Sequence, residues 1–143
     1  KALTLAPSEL NFDDIFYREE WERVIQPQGI TSFSEYLKAS RVGRGVKLSR
    51  QKRKAVWTVF EEYRLLLNEN NLREVDDAMR DACAIIQDKG DVLPYKAIVV
   101  DEAQDLSAQA FRLIRKIIPG GDQKNDIFIV GDAHQRIYRH KIV

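Results

Sequence analysis

The stretch of sequence that decides the fold is Tyr95-Lys96-Ala97-Ile98-Val99-Val100-Asp101-Glu102-Ala103-Gln104-Asp105, in which a short apolar run ends in acidic and amide side chains. The apolar part is uninterrupted and rich in β-branched residues, which is typical of a strand buried on both faces of a parallel sheet. Because open α/β sheets bind ligands at the carboxyl ends of their strands, Asp101 and Glu102 are expected to lie at a binding site.

A second segment of the same kind follows one crossover later. The first strand is expected at about 96–100 and the second at about 127–130. Between them, the sequence predicts a helix from Ser107 or Ala108 to about Ile118, followed by a Pro-Gly-Gly break. This order predicts two parallel strands joined by a right-handed crossover. The predicted fold class is therefore α/β, with an incomplete sheet.

The residues before Pro94 predict helices only. A last apolar stripe, from Leu72 to Ile86, predicts a helix that ends near Gly90 and contributes to the core. We therefore expect a mainly helical subdomain over 1–93 and a strand-containing domain over 94–143. The earlier helix signals are Asn11 as an N-cap, Pro27 and Gly29 as a stop, Ser32 with Glu35 as a capping box, and Ser49 as a further N-cap.

Composition excludes several classes of protein. Hydrophobic residues make up 44% of the 143 residues and charged residues 31%, which describes a soluble globular protein. The single cysteine, Cys83, excludes an internal disulfide and a cysteine-rich zinc site, and a buried thiol is expected. No apolar run approaches the roughly 18 residues of a membrane span, and no signal peptide is visible, so a cytoplasmic protein is expected. Because the chain starts at Lys1 and its only methionine is Met79, we expect a piece of a longer protein.

The net charge of the chain is only +1, but one segment is strongly basic. Residues 41–54 carry seven basic side chains and no acidic one. Basic residues in the first turn of a helix oppose the helix dipole, which indicates another use for them. One interpretation is contact with nucleic-acid phosphates, and the other is a solvated charged surface. The candidate contact residues are Arg44, Arg50, Lys52 and Arg53.

The acidic pair suits nucleotide hydrolysis. Asp101, at the end of a strand, is placed to hold a magnesium ion through water, and Glu102 can orient or deprotonate an attacking water. Acidic pairs are common, however, so the pair alone is better explained as a solvated strand end.

The surrounding residues are more specific. Asp-Glu-Ala-Gln-Asp at 101–105 and Gly-Asp-Ala-His-Gln-Arg-Ile-Tyr at 131–138 resemble motifs II and III of the UvrD/Rep-type superfamily 1 DNA helicases. The resemblance covers roughly residues 95–140 and implies a piece of a P-loop NTPase (RecA-like) sheet. The helical part before it would correspond to the helical insertion that precedes motif II in that family.

The resemblance also implies roles for individual residues. Asp101 would bind magnesium, Glu102 would be the catalytic base, and Gln135 would contact the γ-phosphate. Tyr138 would lie near the single-strand channel. His140 stands where the family often has a tryptophan that stacks on a base, and an imidazole stacks with less area. A polar network between the two motifs, or a simpler role in capping backbone groups, is implied for Gln104, Asp105 and Asp132.

Part of the implied site is missing from the chain. No glycine is followed by lysine, so the phosphate-binding Walker A loop is absent. We therefore expect the parent to be a helicase that uses ATP and Mg²⁺ on single-stranded DNA or a DNA junction, and this chain to be inactive alone with neither cofactor bound. Its two strands would have open edges, and we expect the chain either to pack its helices over the strands or to self-associate through them. The alternatives are a non-enzymatic nucleic-acid-binding module that uses 41–54, and another P-loop ATPase, which would leave Gln135 and Tyr138 unexplained.

Overall fold

A computed structural model describes residues 2–5, 10, 12–89, 93–118 and 126–135, and the chain forms two compact units, Lys1–Glu74 and Val75–Val143. The boundary that the sequence predicts at 93/94 lies within the second of these units. The helix before Pro94 packs against the helix that follows the first strand, so it belongs to the second unit. Neither glycine nor proline marks the boundary at 74/75, whereas Pro94 lies where the composition changes.

The first unit begins with a 3-10 turn, Ala2–Leu5, and the N-cap of its first α-helix is Asp13, whose side chain accepts a 2.8 Å hydrogen bond from the Phe16 amide. The helix is Asp14–Glu20 (α1), continues as the π-helical turn Trp21–Ile25 and ends as Gln26–Gln28 (α2). Pro27 lies inside this last turn and does not stop the helix. Gly29 ends it in the left-handed conformation, with φ of 65°.

Two serine caps in the first unit confirm the sequence prediction. Ser32 and Glu35 form the complete capping box of α3, Phe33–Lys38. Ser49 caps the long helix α4, Arg50–Glu69, by accepting a 3.3 Å hydrogen bond from the Lys52 amide.

The core of the first unit is mainly aromatic. Trp21 and Phe60 lie with ring centroids 5.4 Å apart, and Tyr36 stacks on Trp57 at 5.6 Å. Such pairs add about 0.5–1.5 kcal/mol each beyond the burial of their area. The other buried residues of this cluster include Phe16, Tyr17, Val24, Ile25, Ile30, Val56 and Val59.

The second unit contains the two predicted strands. They pair in parallel, with Val99 opposite Phe128, which confirms the α/β class. The expected burial on both faces is wrong for this chain: Val99 is 72% exposed and Phe128 64%, whereas Val100 is buried. A parallel sheet is buried on both faces only when helices cover both, and the described residues leave this face open. The elements are α5 (Val75–Lys89), β1 (Ile98–Val100), a 3-10 turn (Ala103–Asp105), α6 (Ala108–Ile117), β2 (Ile127–Ile129) and a 3-10 turn (Ala133–Gln135).

The apolar stripe of α5 is less buried than the sequence predicts. Leu72 precedes the helix and is exposed, and Val75 is exposed at its first position, so the expectation of core is wrong for both. Cys83 is half-buried, so the thiol is less buried than expected. In the described part of the chain, no helix is both long and apolar enough to cross a membrane.

Candidate functional site

The two polar segments leave the sheet side by side. Backbone hydrogen bonds continue past the strands: the Val130 amide donates to the Val100 carbonyl at 2.8 Å, and the Ala103 amide donates to the Val130 carbonyl at 3.0 Å. The parallel register therefore brings the segment that begins at Asp101 next to the segment that begins at Gly131, as the sequence predicts.

Asp101 and Glu102 are both exposed at this edge. Glu102 has φ of 52° and ψ of 36°, a left-handed conformation that is uncommon for a residue other than glycine. The Asp101 side chain accepts a 2.8 Å hydrogen bond from the Glu102 amide. The 3-10 turn after Glu102 is closed in part by the Asp105 amide, which donates to the Glu102 carbonyl at 3.2 Å.

Gln104 links the two segments through its side chain. It is buried, and its Oε1 accepts a 3.0 Å hydrogen bond from the Asp132 amide. Its Nε2 donates to the Glu102 carboxylate. A single amide group therefore fixes both the backbone of the second segment and the carboxylate of the first.

Gly131 has little free space around it. A Cβ atom at this position would lie 2.6 Å from Oε1 of Gln104 and 3.1 Å from the backbone nitrogens of Ala103 and Gln104. A contact under 3.0 Å is essentially never found for a real Cβ atom, so the Gln104 side chain would have to move, and the two backbone contacts would require a shift of a few tenths of an ångström. The motif III pattern predicts a glycine at this position, but only the structure shows that its neighbour is Gln104.

Asp132 organises the second segment. Its carboxylate accepts hydrogen bonds from the His134 amide at 2.8 Å and from Nε2 of Gln135 at 3.1 Å. Gln135 is exposed, and its side chain is oriented by Asp132. His134 is also exposed. Asp105 is half-buried. Tyr138 and His140 lie outside the described residues.

A metal ion at this edge would depend on Asp101. Within the described ranges, no three His, Cys, Asp or Glu side chains are grouped so that they could hold a metal ion. Magnesium in nucleotide sites is held by one or two carboxylates, several waters and the phosphates of the substrate. One exposed carboxylate at a strand end fits that kind of site and does not fit an all-protein cage.

The four basic candidates divide into two pairs. The Arg44 side chain is 7% exposed and pairs with Glu19 and with Glu20, so its position argues for a structural role. Arg53 donates to three backbone carbonyls at the end of α3. Arg50 and Lys52 are exposed, which leaves these two as the better candidates for phosphate contact.

Glu20 is a buried charged residue that the sequence did not indicate. It accepts hydrogen bonds from Nε of Arg41 at 2.6 Å and from the Tyr36 hydroxyl at 2.7 Å. Burial alone would raise the pKa of Glu20, but these hydrogen bonds and the charge of Arg41 lower it below its ordinary value. Burial and the nearby Glu20 charge raise the pKa of Tyr36. In the sequence, Glu20 is one of several acids in a helix, so no local signal distinguishes it.

The model of the UvrD/REP helicase N-terminal domain matches residues 17–142. The chain belongs to the UvrD/REP helicase family. The resemblance first seen in motifs II and III is therefore confirmed, and the match extends over the helical unit as well.

UvrD/REP relatives are found in bacteria and yeast. ATP-dependent DNA helicase UvrD1 of Mycobacterium tuberculosis is 30% identical over 96 residues, which is 59% of this chain and 12% of that protein. ATP-dependent DNA helicase srs2 of Schizosaccharomyces pombe is 35% identical over 81 residues, 56% of this chain and 9% of that protein. The aligned part is thus a small fraction of these curated relatives. No solved structure matches the chain significantly.

Proposed function

We propose that this chain is the part of an ATP-dependent DNA helicase that supplies the carboxylates for magnesium binding and water activation and the glutamine that contacts the γ-phosphate. The observation that carries this proposal is the bridge made by Gln104 between the Glu102 carboxylate and the Asp132 amide. It connects the residue proposed to activate water to the segment proposed to contact the γ-phosphate.

The proposed step is attack of water on the γ-phosphorus of ATP. Glu102 orients the water and takes its proton as the new phosphorus–oxygen bond forms and the bond to the β–γ bridging oxygen breaks. Asp101 holds the magnesium ion, which supplies charge neutralisation of the phosphates when bound. Gln104 is a positioning residue, because it acts through Glu102 and the Asp132 backbone.

The second polar segment would report the state of the nucleotide. The Gln135 amide would contact the γ-phosphate, and Asp132 holds that amide by a hydrogen bond of 3.1 Å. Loss of the γ-phosphate would remove one partner of Gln135, and the change would reach Glu102 through Asp132 and Gln104.

The phosphates themselves need further groups. A glycine-rich loop with a lysine cradles the β- and γ-phosphates in P-loop enzymes, and this chain has no glycine followed by lysine. We therefore expect the isolated chain to be inactive, and the site to be completed in a longer protein. Self-association of the isolated chain through its open strand edges stays a prediction.

A second candidate is a nucleic-acid-binding module without catalysis. The exposed cations Arg50 and Lys52 favour it, because they lie on one turn of α4. The two candidates are compatible in one protein, since a helicase must hold its nucleic acid.

The test of the catalytic proposal is Glu102→Gln in the longer protein. Glutamine keeps the shape of the side chain and an oxygen that can accept from Gln104, but it cannot take a proton. We expect DNA-stimulated ATP turnover to fall by a factor of about 10² to 10⁴, the usual contribution of a general base. Nucleotide affinity should be nearly unchanged. The matched control is Glu69→Gln, an exposed carboxylate of the first unit. Turnover equal to that of the control would reject the assignment of Glu102.

A further inference from the structure

A cavity of about 310 Å³ opens on one side of the first unit. It is lined by residues of the 3-10 turn Ala2–Leu5, of α1 with its π-helical continuation, and of α4, and by Glu74. All of these residues belong to the first unit, so the cavity contains no residue of the candidate catalytic edge. Its volume lies near the lower end of the range for sites that bind small molecules.

The wall of the cavity is rich in aromatic side chains, which are those of Tyr17, Trp21, Phe60 and Tyr63. The rings of Trp21 and Tyr63 meet edge to face, with their centroids 5.0 Å apart. The faces of aromatic rings attract cations, and tryptophan does so most strongly. This cluster already binds one cation inside the protein, because Cζ of Arg64 lies 5.1 Å from the centroid of the Trp21 ring. We therefore expect the wall to favour a positively charged group.

The charges that line the cavity are mostly negative. Its acidic lining residues are Asp14, Glu22 and Glu74, and its basic lining residue is Arg18. Asp14 and Glu22 are exposed, so a ligand can approach their carboxylates from solvent. The Glu74 carboxylate accepts a hydrogen bond from the Tyr63 hydroxyl, which fixes this acid against the aromatic wall. An excess of negative charge attracts a cation and repels anions such as phosphates.

Two features of the wall have no evident role within the fold. The Tyr17 hydroxyl and Nε1 of Trp21 are buried, and neither finds a hydrogen-bond partner in the part of the chain that the structure describes. Buried polar groups of this kind lower stability unless water or a bound molecule completes them. Trp21 is also the first residue of the π-helical turn, a rare geometry that is frequent at functional sites.

We propose that this cavity binds a small organic cation that has a hydrocarbon body and an ammonium head group. The hydrocarbon body packs against the aromatic wall and Val59, and the ring faces and carboxylates attract the ammonium. An ammonium has three N–H donors, so it can supply the partner that the Tyr17 hydroxyl lacks. The negative lining disfavours the phosphates of nucleotides and nucleic acids, so this ligand differs in class from the partners of the proposed function.

The exposed charges Glu22 and Arg18 should affect such a ligand in opposite directions. Glu22→Gln removes an attraction to the ammonium, whereas Arg18→Gln removes a repulsion. Because both side chains are exposed, neither change should alter the stability of the unit much. A merely structural role of either residue would not produce changes in affinity of opposite sign.

The experiment is a calorimetric titration of the full chain with hexylammonium chloride, together with a titration of tryptophan emission. Hexanol and sodium hexanoate are probes of the same length with a neutral and a negative head group. We expect hexylammonium to bind with a Kd of roughly 1 mM or below, and about tenfold more tightly than hexanoate. Emission should change together with the heat, because Trp21 lines the cavity whereas Trp57 does not.

The variants test which charges face the ligand. Glu22→Gln should raise the Kd of hexylammonium by a factor of about 1.5 to 5, the range for exposed ion pairs, and Arg18→Gln should lower it by a similar factor. Glu69→Gln is the matched control, because Glu69 is an exposed carboxylate of the same unit that does not line the cavity. Binding of hexylammonium should also weaken as the salt concentration rises.

Several outcomes would overturn a cation site in this cavity. If hexanol or hexanoate binds as tightly as hexylammonium, the cavity is a general apolar site. If hexylammonium gives no heat at roughly 10 mM, or gives heat without a change in emission, the cavity does not bind it. If Glu22→Gln and Arg18→Gln change the Kd in the same direction, or no more than Glu69→Gln does, the lining charges do not face the ligand. None of these measurements involves ATP or DNA, so their failure leaves the proposed function unaffected.

Discussion

The buried carboxylate of Glu20 gives the most direct test of how the first unit is stabilised. The Glu20→Gln variant keeps the size of the side chain and removes its charge. In the wild type, Glu20 is fully buried and receives hydrogen bonds from Arg41 at 2.6 and 2.8 Å, from Arg44 at 3.0 Å and from Tyr36 at 2.7 Å. After substitution, the Arg41 guanidinium would remain buried without an opposite charge.

The expected loss of stability is large. Removing one partner of a buried ion pair costs about 3–5 kcal/mol, because the other charge stays desolvated and uncompensated. Arg44 keeps its ion pair with Glu19, and the glutamine oxygen still accepts one hydrogen bond, so we expect the lower end of that range. For a unit of this size, about 3 kcal/mol corresponds to a fall in melting temperature of more than roughly 12 °C. Domains of this kind have only about 5–15 kcal/mol in total.

Tryptophan fluorescence during urea unfolding measures this effect selectively. The chain has two tryptophans, Trp21 and Trp57, and both are buried in the first unit. The signal therefore reports the unit that contains Glu20 and not the strand-containing unit. Glu22→Gln is the matched control, because Glu22 is an exposed carboxylate of the same helical segment. We expect its unfolding midpoint to stay within experimental error of the wild type.

A loss below about 1 kcal/mol for Glu20→Gln would refute this reasoning, since surface ion pairs are worth no more than that. It would mean that the arginines find other partners or water when the charge is removed. An unchanged midpoint would also remove the argument that Glu20 holds Arg41 and Arg44 in place.

Two further predictions follow from the same contacts. The pKa of Glu20 is lowered in the folded state, because hydrogen bonds and the Arg41 charge outweigh burial. Its stabilisation is therefore complete above the unfolded value of about 4.3 and is lost as the pH falls through the lower folded value, so the wild type and Glu20→Gln should become more similar in unfolding free energy near pH 3 than at pH 7. In the second unit, Gly131→Ala should cost about 1–3 kcal/mol by displacing Gln104 from the Asp132 amide, measured by circular dichroism during urea unfolding. In the double variant Gly131→Ala/Gln104→Ala, removal of the Gln104 side chain should relieve part of the clash, so the loss of unfolding free energy should be smaller than the sum of the two single losses. Strictly additive losses would contradict this explanation.

Local signals in the sequence predicted much of the fold. The caps at Ser32 and Ser49 each depend on a serine oxygen and an amide three residues later, so they are readable within one turn. The two strands and their parallel pairing follow from short apolar runs separated by a helix. The residues of the candidate site were predicted because they stand at the positions of motifs II and III of the family.

Long-range contacts account for what the sequence did not predict. Arg44 and Arg50 carry the same charge, so the sequence does not distinguish them. Only the fold shows that Arg44 forms an ion pair inside the protein. The boundary after Glu74 depends on packing of α5 against α6, including the hydrogen bond of 2.6 Å from Ser107 to Asp76. The difference in burial between the two faces of the sheet is also a long-range property, because the exposure of Val99 depends on which elements cover its face.

The left-handed backbone of Glu102 has a consequence for how variants of this protein would be selected. An ordinary side chain in that conformation costs roughly 1–2 kcal/mol, and glycine or asparagine adopts it more easily. Replacing Glu102 by asparagine would therefore favour the folded state while removing the group proposed to activate water. Selection for expression or heat resistance would accept this change, and selection for the proposed ATP hydrolysis would reject it.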